Sequence, residues 1–311
     1  MNQGDRDWLL EHFGANVIFD EPMSRHTTFK IGGPVDALVI VRTEMEMSDV
    51  IQWPRSRGES IMILGAGSNL LVRDGGIRGL VLKLAGDFET IRLVSDQHHG
   101  ATTIEAGAAV AVRRLSKYAL DHSLGGLNFA LGIPGSVGGA LRMNAGAWGG
   151  CMAYPTRMIR VLNPDGEVTT IHREQLKFSY RRLSLEKDTI ILAGQFKLNR
   201  ADPQALKEEA TRMLEKRRLK QPLSLPSAGS VFRNPAGQKT AGELIDQAGL
   251  KGHRIGDAEV STKHANFIVN TGQAKAADVL DLIGQIQAAV SKQFGVRLVP
   301  EVTIVGQETG S

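Results

Sequence analysis

The 311-residue sequence contains a single cysteine, Cys151, which excludes an intramolecular disulfide and a cysteine-ligated metal cluster and suits a reducing compartment. Aromatic residues make up only 5% of the chain, so its core is aliphatic, and no basic surface interleaved with stacking rings is available for single-stranded nucleic acid. Excess charge is scarce too. The formal net charge is +4, without a dense Lys/Arg block, and this fits an anionic small molecule better than a nucleic acid. No apolar run reaches the roughly 20 residues that a membrane span needs. The first fourteen residues carry acids and no basic run ahead of an apolar core, so no secretory signal is expected and the reading is cytoplasmic.

Glycine is abundant instead, at 35 residues, and it crowds into Gly132 to Gly150. Each glycine inside a regular element costs about 0.5–1 kcal/mol relative to alanine, so such a stretch points to close backbone approach. Pro134 fixes one torsion, Gly135 and Ser136 free the next, and Val137 to Asn144 can wind into a helix. This predicts a loop delivering a helix N-terminus with open N–H groups, which suits a diphosphate. A tight turn packed on a neighbouring strand is the competing reading of one such cluster. A second run, Gly65-Ala66-Gly67-Ser68-Asn69, directly follows the apolar segment Ser60 to Leu64 and suggests another cradle. It lacks the third glycine of a dinucleotide fingerprint and the Gly-Lys-Ser/Thr ending of a triphosphate loop, and Leu70 to Val72 continues as strand.

Helical patterns cover Met1 to Phe13, a segment capped by Thr43 that reaches about Arg57, and Val110 to His122. Strands are expected at Val35–Val41, Ser60–Leu64, Leu80–Leu84, Thr90–Val94, Thr102–Ala106 and Thr189–Leu198. Asn163-Pro164-Asp165-Gly166 between two apolar runs signals a hairpin, whereas Phe178 to Arg182 reads as a polar, aromatic loop. At Ala201-Asp202-Pro203 the composition shifts into a charged helix ending near Lys220, followed by a Pro/Ser linker, and a domain boundary is expected near residue 202. Helices around Thr240–Ala248 and Ala276–Phe294 and strands Ala265–Val269 and Val296–Val305 complete the chain.

Several motifs occur in a fixed order: Thr27-Thr28-Phe29-Lys30-Ile31-Gly32-Gly33, Leu64 to Leu70, Gly132 to Gly149, Ser179-Tyr180-Arg181, Ala228 to Pro235, Ala241 to Ile245, Lys263-His264-Ala265-Asn266-Phe267 and Val299-Pro300-Glu301-Val302. In that order the chain resembles the UDP-N-acetylenolpyruvoylglucosamine reductase family, flavoenzymes also called UDP-N-acetylmuramate dehydrogenases. The resemblance implies an α+β protein: a two-part FAD-binding half of the vanillyl-alcohol-oxidase type, then a smaller α+β substrate domain. Residues 1–201 would form the FAD-binding region, with two subdomains split near 84, and 202–311 the substrate-binding domain. FAD would lie between the two parts of its half without a covalent link. The cofactor-binding residues implied are Gly65, Ala66, Gly67, Ser68, Asn69, Gly132, Pro134, Gly135, Ser136, Gly138, Asn144 and Gly146. NADPH would be the hydride donor, sharing one pocket in turn with a UDP-sugar substrate, in a monomer without metal, nucleic-acid or membrane partners.

The same resemblance implies three catalytic residues. Arg181 matches the arginine that steadies the substrate carboxylate, Glu301 the active-site carboxylate, and Ser230 the proton donor to the inner carbon. Outside the family pattern each has an ordinary alternative: a surface salt bridge, a strand-edge glutamate, a hydroxyl closing the turn at Ala228-Gly229. Tyr180, Arg233, Asn234 and Lys263 are expected to hold the substrate, with Arg217, Arg218 and Lys220 as alternatives for its diphosphate. Two positions depart from the pattern: Leu183 replaces a common serine, and Cys151 a common acid. The short linker between Leu198 and Ser230 lacks room for a tyrosine-bearing lid, which indicates the shorter branch. The competing functions are an FAD-dependent alcohol or sugar oxidase on the same fold, which has no need of Ser230, Arg181 and Glu301 together, and a non-enzymatic nucleotide-binding module.

Overall fold

The computed structural model describes residues 1–55, 60–96, 101–237 and 239–310. Among them the helices are α1 (Gln3–Phe13), α2 (Glu44–Arg55), α3 (Val112–Asp121), α4 (Val137–Arg142), α5 (Pro203–Lys220), α6 (Ala241–Gln247) and α7 (Ala276–Phe294). The chain divides into two compact units: residues 1–38, 67–81 and 218–311 form one, and 39–66 and 82–217 the other. No helix among the described residues is long and apolar enough to cross a membrane.

In the second unit the alternating apolar segments pair into an antiparallel sheet. Its order is Val168–His172, Thr156–Leu162, Ile190–Arg200, Ala101–Gly107, Ile91–Asp96, with the short strand Leu124–Gly125 also on Ile190–Arg200. The Asn163 to Gly166 hairpin forms as the turn residues predict: Leu162 faces Val168 and the Gly166 amide donates to the Asn163 carbonyl at 3.0 Å. Thr43 caps α2 as expected, its hydroxyl accepting the Glu46 amide at 3.1 Å. Residues 56 and 57, read as the end of that helix, lie outside the described residues.

The first unit holds a four-stranded antiparallel sheet, Ser227–Ser230, Phe267–Asn270, Ala258–Val260, Arg254–Ile255, and a parallel pair, Leu70–Val72 with Thr303–Val305. Helix α7 buries Val279, Leu282, Ile283, Ile286 and Val290 at helical spacing, in a core shared with Phe29, Ile31, Leu71, Phe232 and Ile268. Asp74 secures its start, both carboxylate oxygens accepting amides, from Ala276 at 2.8 Å and Ala277 at 3.0 Å.

Three sequence expectations change. The cut near 202 falls instead at 217/218, because α5 stays with the second unit: Leu206 and Ala210 are buried, and the Asn128 side chain donates to the Leu206 carbonyl and to Glu209. Phe178 to Arg182 is a hairpin, not a loop, with Lys177–Ser179 paired to Arg182–Ser184. The strand expected over Val296–Val305 shrinks to Thr303–Val305, since Pro300 has no N–H to offer and contributes only an isolated bridge to Phe232.

Candidate active site

The glycine-rich stretch delivers α4 as predicted, but not an open helix end. Ser136 is the N-cap, and the first amides are already used: Val137 donates to the Val110 carbonyl at 2.8 Å, Gly138 to Ala108 at 2.9 Å and Gly139 to the Ser136 hydroxyl at 3.4 Å. The close approach at Gly138 is to Ala108, whose Cβ would stand 2.9 Å from a Cβ placed there. Its glycine therefore serves the fold's own packing, and the expected anion site at this helix end is closed. Among the described residues the amides of Gly135 and Ser136 carry no hydrogen bond. The two glycine runs also abut: a Cβ on Gly65 would lie 2.5 Å from Ser136 Oγ.

Beside this loop lies a cation that has no ion pair among the described residues. Arg217, near the end of α5, packs its Cδ 3.0 Å from where a Cβ on Gly132 would be, with Gly132 in the left-handed region at φ 78°. Its buried Nε has no hydrogen-bond partner among the described residues, and burial lowers the guanidinium pKa. The neighbouring Lys216 ammonium sits 4.9 Å from the Trp148 ring centroid, and the buried indole Nε1 likewise has no partner. Orphaned donors beside a glycine loop fit a bound diphosphate. Replacing Arg217 with leucine is expected to raise the melting temperature of FAD-free protein and to weaken FAD binding by about tenfold or more, read by thermal melts and flavin titration.

Arg181 sits in the two-residue turn of the Lys177–Ser184 hairpin at φ 57°, a conformation costly for a residue with a side chain. Its Nη1 donates to the Gly146 carbonyl at 3.1 Å, and its guanidinium lies 5.4 Å from the centroid of the exposed Tyr180 ring. The hairpin is anchored by buried Asn144, whose Nδ2 donates to the Ser179 carbonyl at 2.9 Å while its Oδ1 accepts the Ala153 amide at 3.0 Å. The side chain of Asn144, read from the sequence as holding FAD, is thus engaged in supporting the hairpin of Arg181, and Gly146 supplies the acceptor for Arg181. Both departures from the family pattern have local roles. Leu183 is buried opposite Phe178, and Cys151 pairs with Gly146.

In the first unit, the segment Thr27 to Gly33 acts as a bracket. Thr28 donates its amide to the Gly67 carbonyl at 3.2 Å and its hydroxyl to the Ser227 carbonyl at 2.7 Å, so one residue ties the loop at Gly67 to the strand leading to Ser230. That strand is irregular. Register shifts between Ser227, opposite Val269, and Ser230, opposite Phe267, with Gly229 at φ 78°, and such a bulge re-aims the side chain that follows it. Next in the chain, Val231 accepts the Glu301 amide on its carbonyl at 2.7 Å, and Asn69 Nδ2 donates to the Glu301 carbonyl at 3.0 Å. Asn234 Oδ1 accepts the Ala241 amide at 3.1 Å, Arg233 is exposed with its amide on the Val299 carbonyl, and Lys263 Nζ donates to the Arg218 carbonyl at 2.6 Å. Nothing in the sequence marks Thr28 or Trp148 for a site; a hydroxyl in a Thr-Thr-Phe segment carries no chemical signature of its own.

His264, in the Lys-His-Ala-Asn-Phe motif, accepts the Asn266 amide on Nδ1 at 3.2 Å and stands edge-on to Phe267. Burial lowers its pKa from 6.5, with the charges of Lys251 and Lys220 adding to the effect, so the folded protein favours the neutral ring. The unfolded chain then binds the extra proton first. Stability contributed here is present above pH 6.5 and falls as the pH drops below it. Urea titrations between pH 7.5 and 5 are expected to show that fall, reduced by His264→Gln.

A family model described as FAD binding domain matches residues 35–172. The fold also resembles the crystal structure of a VAO-type flavoprotein from Myceliophthora thermophila, with TM-score 0.50 and 14% identity over 64% of this chain and 48% of that one. Abutting glycine loops and these likenesses define the class: an α+β, FAD-binding flavoprotein with the vanillyl-alcohol-oxidase type of fold. A second model, described as UDP-N-acetylenolpyruvoylglucosamine reductase, C-terminal domain, matches residues 221–305. The reductase of that name from Desulfosudis oleivorans is 44% identical over 314 residues, covering 99% of this chain and 100% of its own. The one from Streptococcus thermophilus strain LMD-9 is 44% identical, covering 95% of each. The Thermus caldophilus reductase structure superposes with TM-score 0.78 at 36% identity, covering 93% of this chain and 98% of that one. The chain belongs to the UDP-N-acetylenolpyruvoylglucosamine reductase family, and it is an FAD-binding oxidoreductase.

Proposed function

We propose that the chain reduces the enolpyruvyl group of UDP-N-acetylglucosamine enolpyruvate to UDP-N-acetylmuramate, a step of peptidoglycan precursor synthesis, with non-covalent FAD and with NADPH as hydride donor. The reading extends to a cytoplasmic monomer in which NADPH and the UDP-sugar take turns in one pocket. FAD, when bound, supplies hydride transfer from NADPH to the outer carbon of the enol ether. Gly65, Ala66 and Gly132 to Ser136 would hold it, with Arg217 answering the charge of its diphosphate.

The chain's own residues answer the charge that hydride arrival creates. Negative charge spreads from the inner carbon onto the substrate carboxylate, where the fixed guanidinium of Arg181 opposes it; one such preorganised donor is worth about 2.7–4 kcal/mol. Ser230 delivers the proton to the inner carbon, and Glu301 shares in that proton's supply. A serine hydroxyl is a weak acid, so a neighbouring carboxyl is what makes the assignment workable. The observation that most supports this reading is the hydrogen bond from the Glu301 amide to the Val231 carbonyl, which fixes the backbone of the acid beside that of the proton donor. Tyr180, Arg233, Asn234 and Lys263 are assigned to the UDP-sugar. Stoichiometric NADPH oxidation with the enolpyruvyl UDP-sugar, measured beside oxygen consumption on alcohols and sugars, tests the proposal. Oxygen-coupled turnover of an alcohol without activity on the UDP-sugar would replace it with an oxidase.

A further inference from the structure

We propose that Asn69 is a positioning residue for Glu301, a role separate from holding the cofactor. The inference rests on the assignment of Glu301 as the active-site carboxylate. The parallel pairing of Leu70–Val72 with Thr303–Val305 stops at Leu70 opposite Thr303. One residue upstream, Asn69 continues it by other means: its backbone carbonyl accepts the Thr303 amide at 2.9 Å, and its side-chain Nδ2 donates to the Glu301 carbonyl at 3.0 Å. The side chain thus takes the place of a backbone rung, extending the ladder to the acid.

Glu301 needs this because Pro300 before it brings no N–H. Each of the residue's own peptide groups has a protein anchor: its amide donates to the Val231 carbonyl at 2.7 Å, and its carbonyl accepts from Asn69. The first ties Glu301 to the strand of Ser230, the second to the end of the loop Gly65 to Asn69. With the second removed, the carbonyl loses this donor and the torsion that aims the side chain is held less firmly. Aspartate at position 69 is the isosteric control, since an ionised carboxylate offers no donor to that carbonyl.

The full-length holoenzyme is to be compared with Asn69→Ala and Asn69→Asp, with the Asp variant carrying the test should the Ala variant fold poorly. At saturating FAD, turnover of the enolpyruvyl substrate by the reduced enzyme is expected to slow about 10- to 100-fold, well beyond any loss of FAD affinity read by flavin absorbance and titration. Hydrogen exchange at the Glu301 and Thr303 amides should quicken. In a Glu301→Gln background the further loss from Asn69→Ala should shrink to about twofold or less, because both changes act on one group. Loss of FAD affinity in step with the rate, full additivity with Glu301→Gln, or unchanged exchange would each overturn the inference. Parent-like substrate turnover in Glu301→Gln alone would instead strike the functional assignment of Glu301, and the positioning role with it.

Discussion

Ser230→Ala is expected to fold, bind FAD and accept hydride from NADPH at close to the parent rate, then stall with the enolpyruvyl substrate. General acid groups contribute about 10²–10⁴-fold, and the loss should appear in that half-reaction alone. The local structure makes the substitution a clean one. Ser230 follows a bulge whose geometry is set by Gly229 and by the Val231 amide on the Asn266 carbonyl at 2.8 Å, so removing the hydroxyl leaves the backbone anchors in place. Ser230→Cys keeps an ionisable proton near the same point and should recover part of the rate. Stopped-flow traces with each substrate decide the matter; an alanine variant that turns over the enolpyruvyl substrate within a few-fold of the parent returns Ser230 to an ordinary place in the turn.

Arg181 carries the second large effect, and its backbone supplies an unusual control. At φ 57° a residue with a Cβ is held in a conformation costing about 1–2 kcal/mol, which glycine adopts freely. Arg181→Gly is therefore expected to leave the hairpin at least as stable as in the parent while slowing substrate reduction about 10²–10³-fold, with NADPH oxidation nearly intact. That combination, stability kept and chemistry lost, separates a catalytic guanidinium from a structural one. Equal slowing of both half-reactions would make Arg181 a shared binding group or a support for its neighbours.

The elements whose signal is local were legible in the sequence: the hairpin at Asn163 to Gly166, the Thr43 cap, the start of α4 at Ser136 and the apolar stripe of α7. What local reading missed depends on partners far along the chain. Residues 67–81 join the last third because Asp74 caps α7 and Leu70–Val72 pairs with Thr303–Val305, contacts that span more than 200 residues. The two-residue turn at Tyr180-Arg181 was hidden because neither residue is a customary turn former, and its anchor, Asn144 on the Ser179 carbonyl, comes from outside the hairpin. At Gly138 the sequence showed that close approach was required without showing to what. Ala108 answers it, and a valine there tests folding before it tests flavin content. The proposed catalytic trio rests on the ordered motifs of the family alone, since a serine, an arginine and a glutamate at positions 230, 181 and 301 have no spacing that announces them.

The proposed reaction is tested most directly on the purified protein under anaerobic conditions, by following its visible absorbance through two additions. The protein is expected to be yellow, to be bleached by NADPH and to regain its colour when the enolpyruvyl UDP-sugar is added, with UDP-N-acetylmuramate formed in proportion. A colourless protein with no affinity for FAD, or a bleached one that oxygen restores and the UDP-sugar does not, would contradict it.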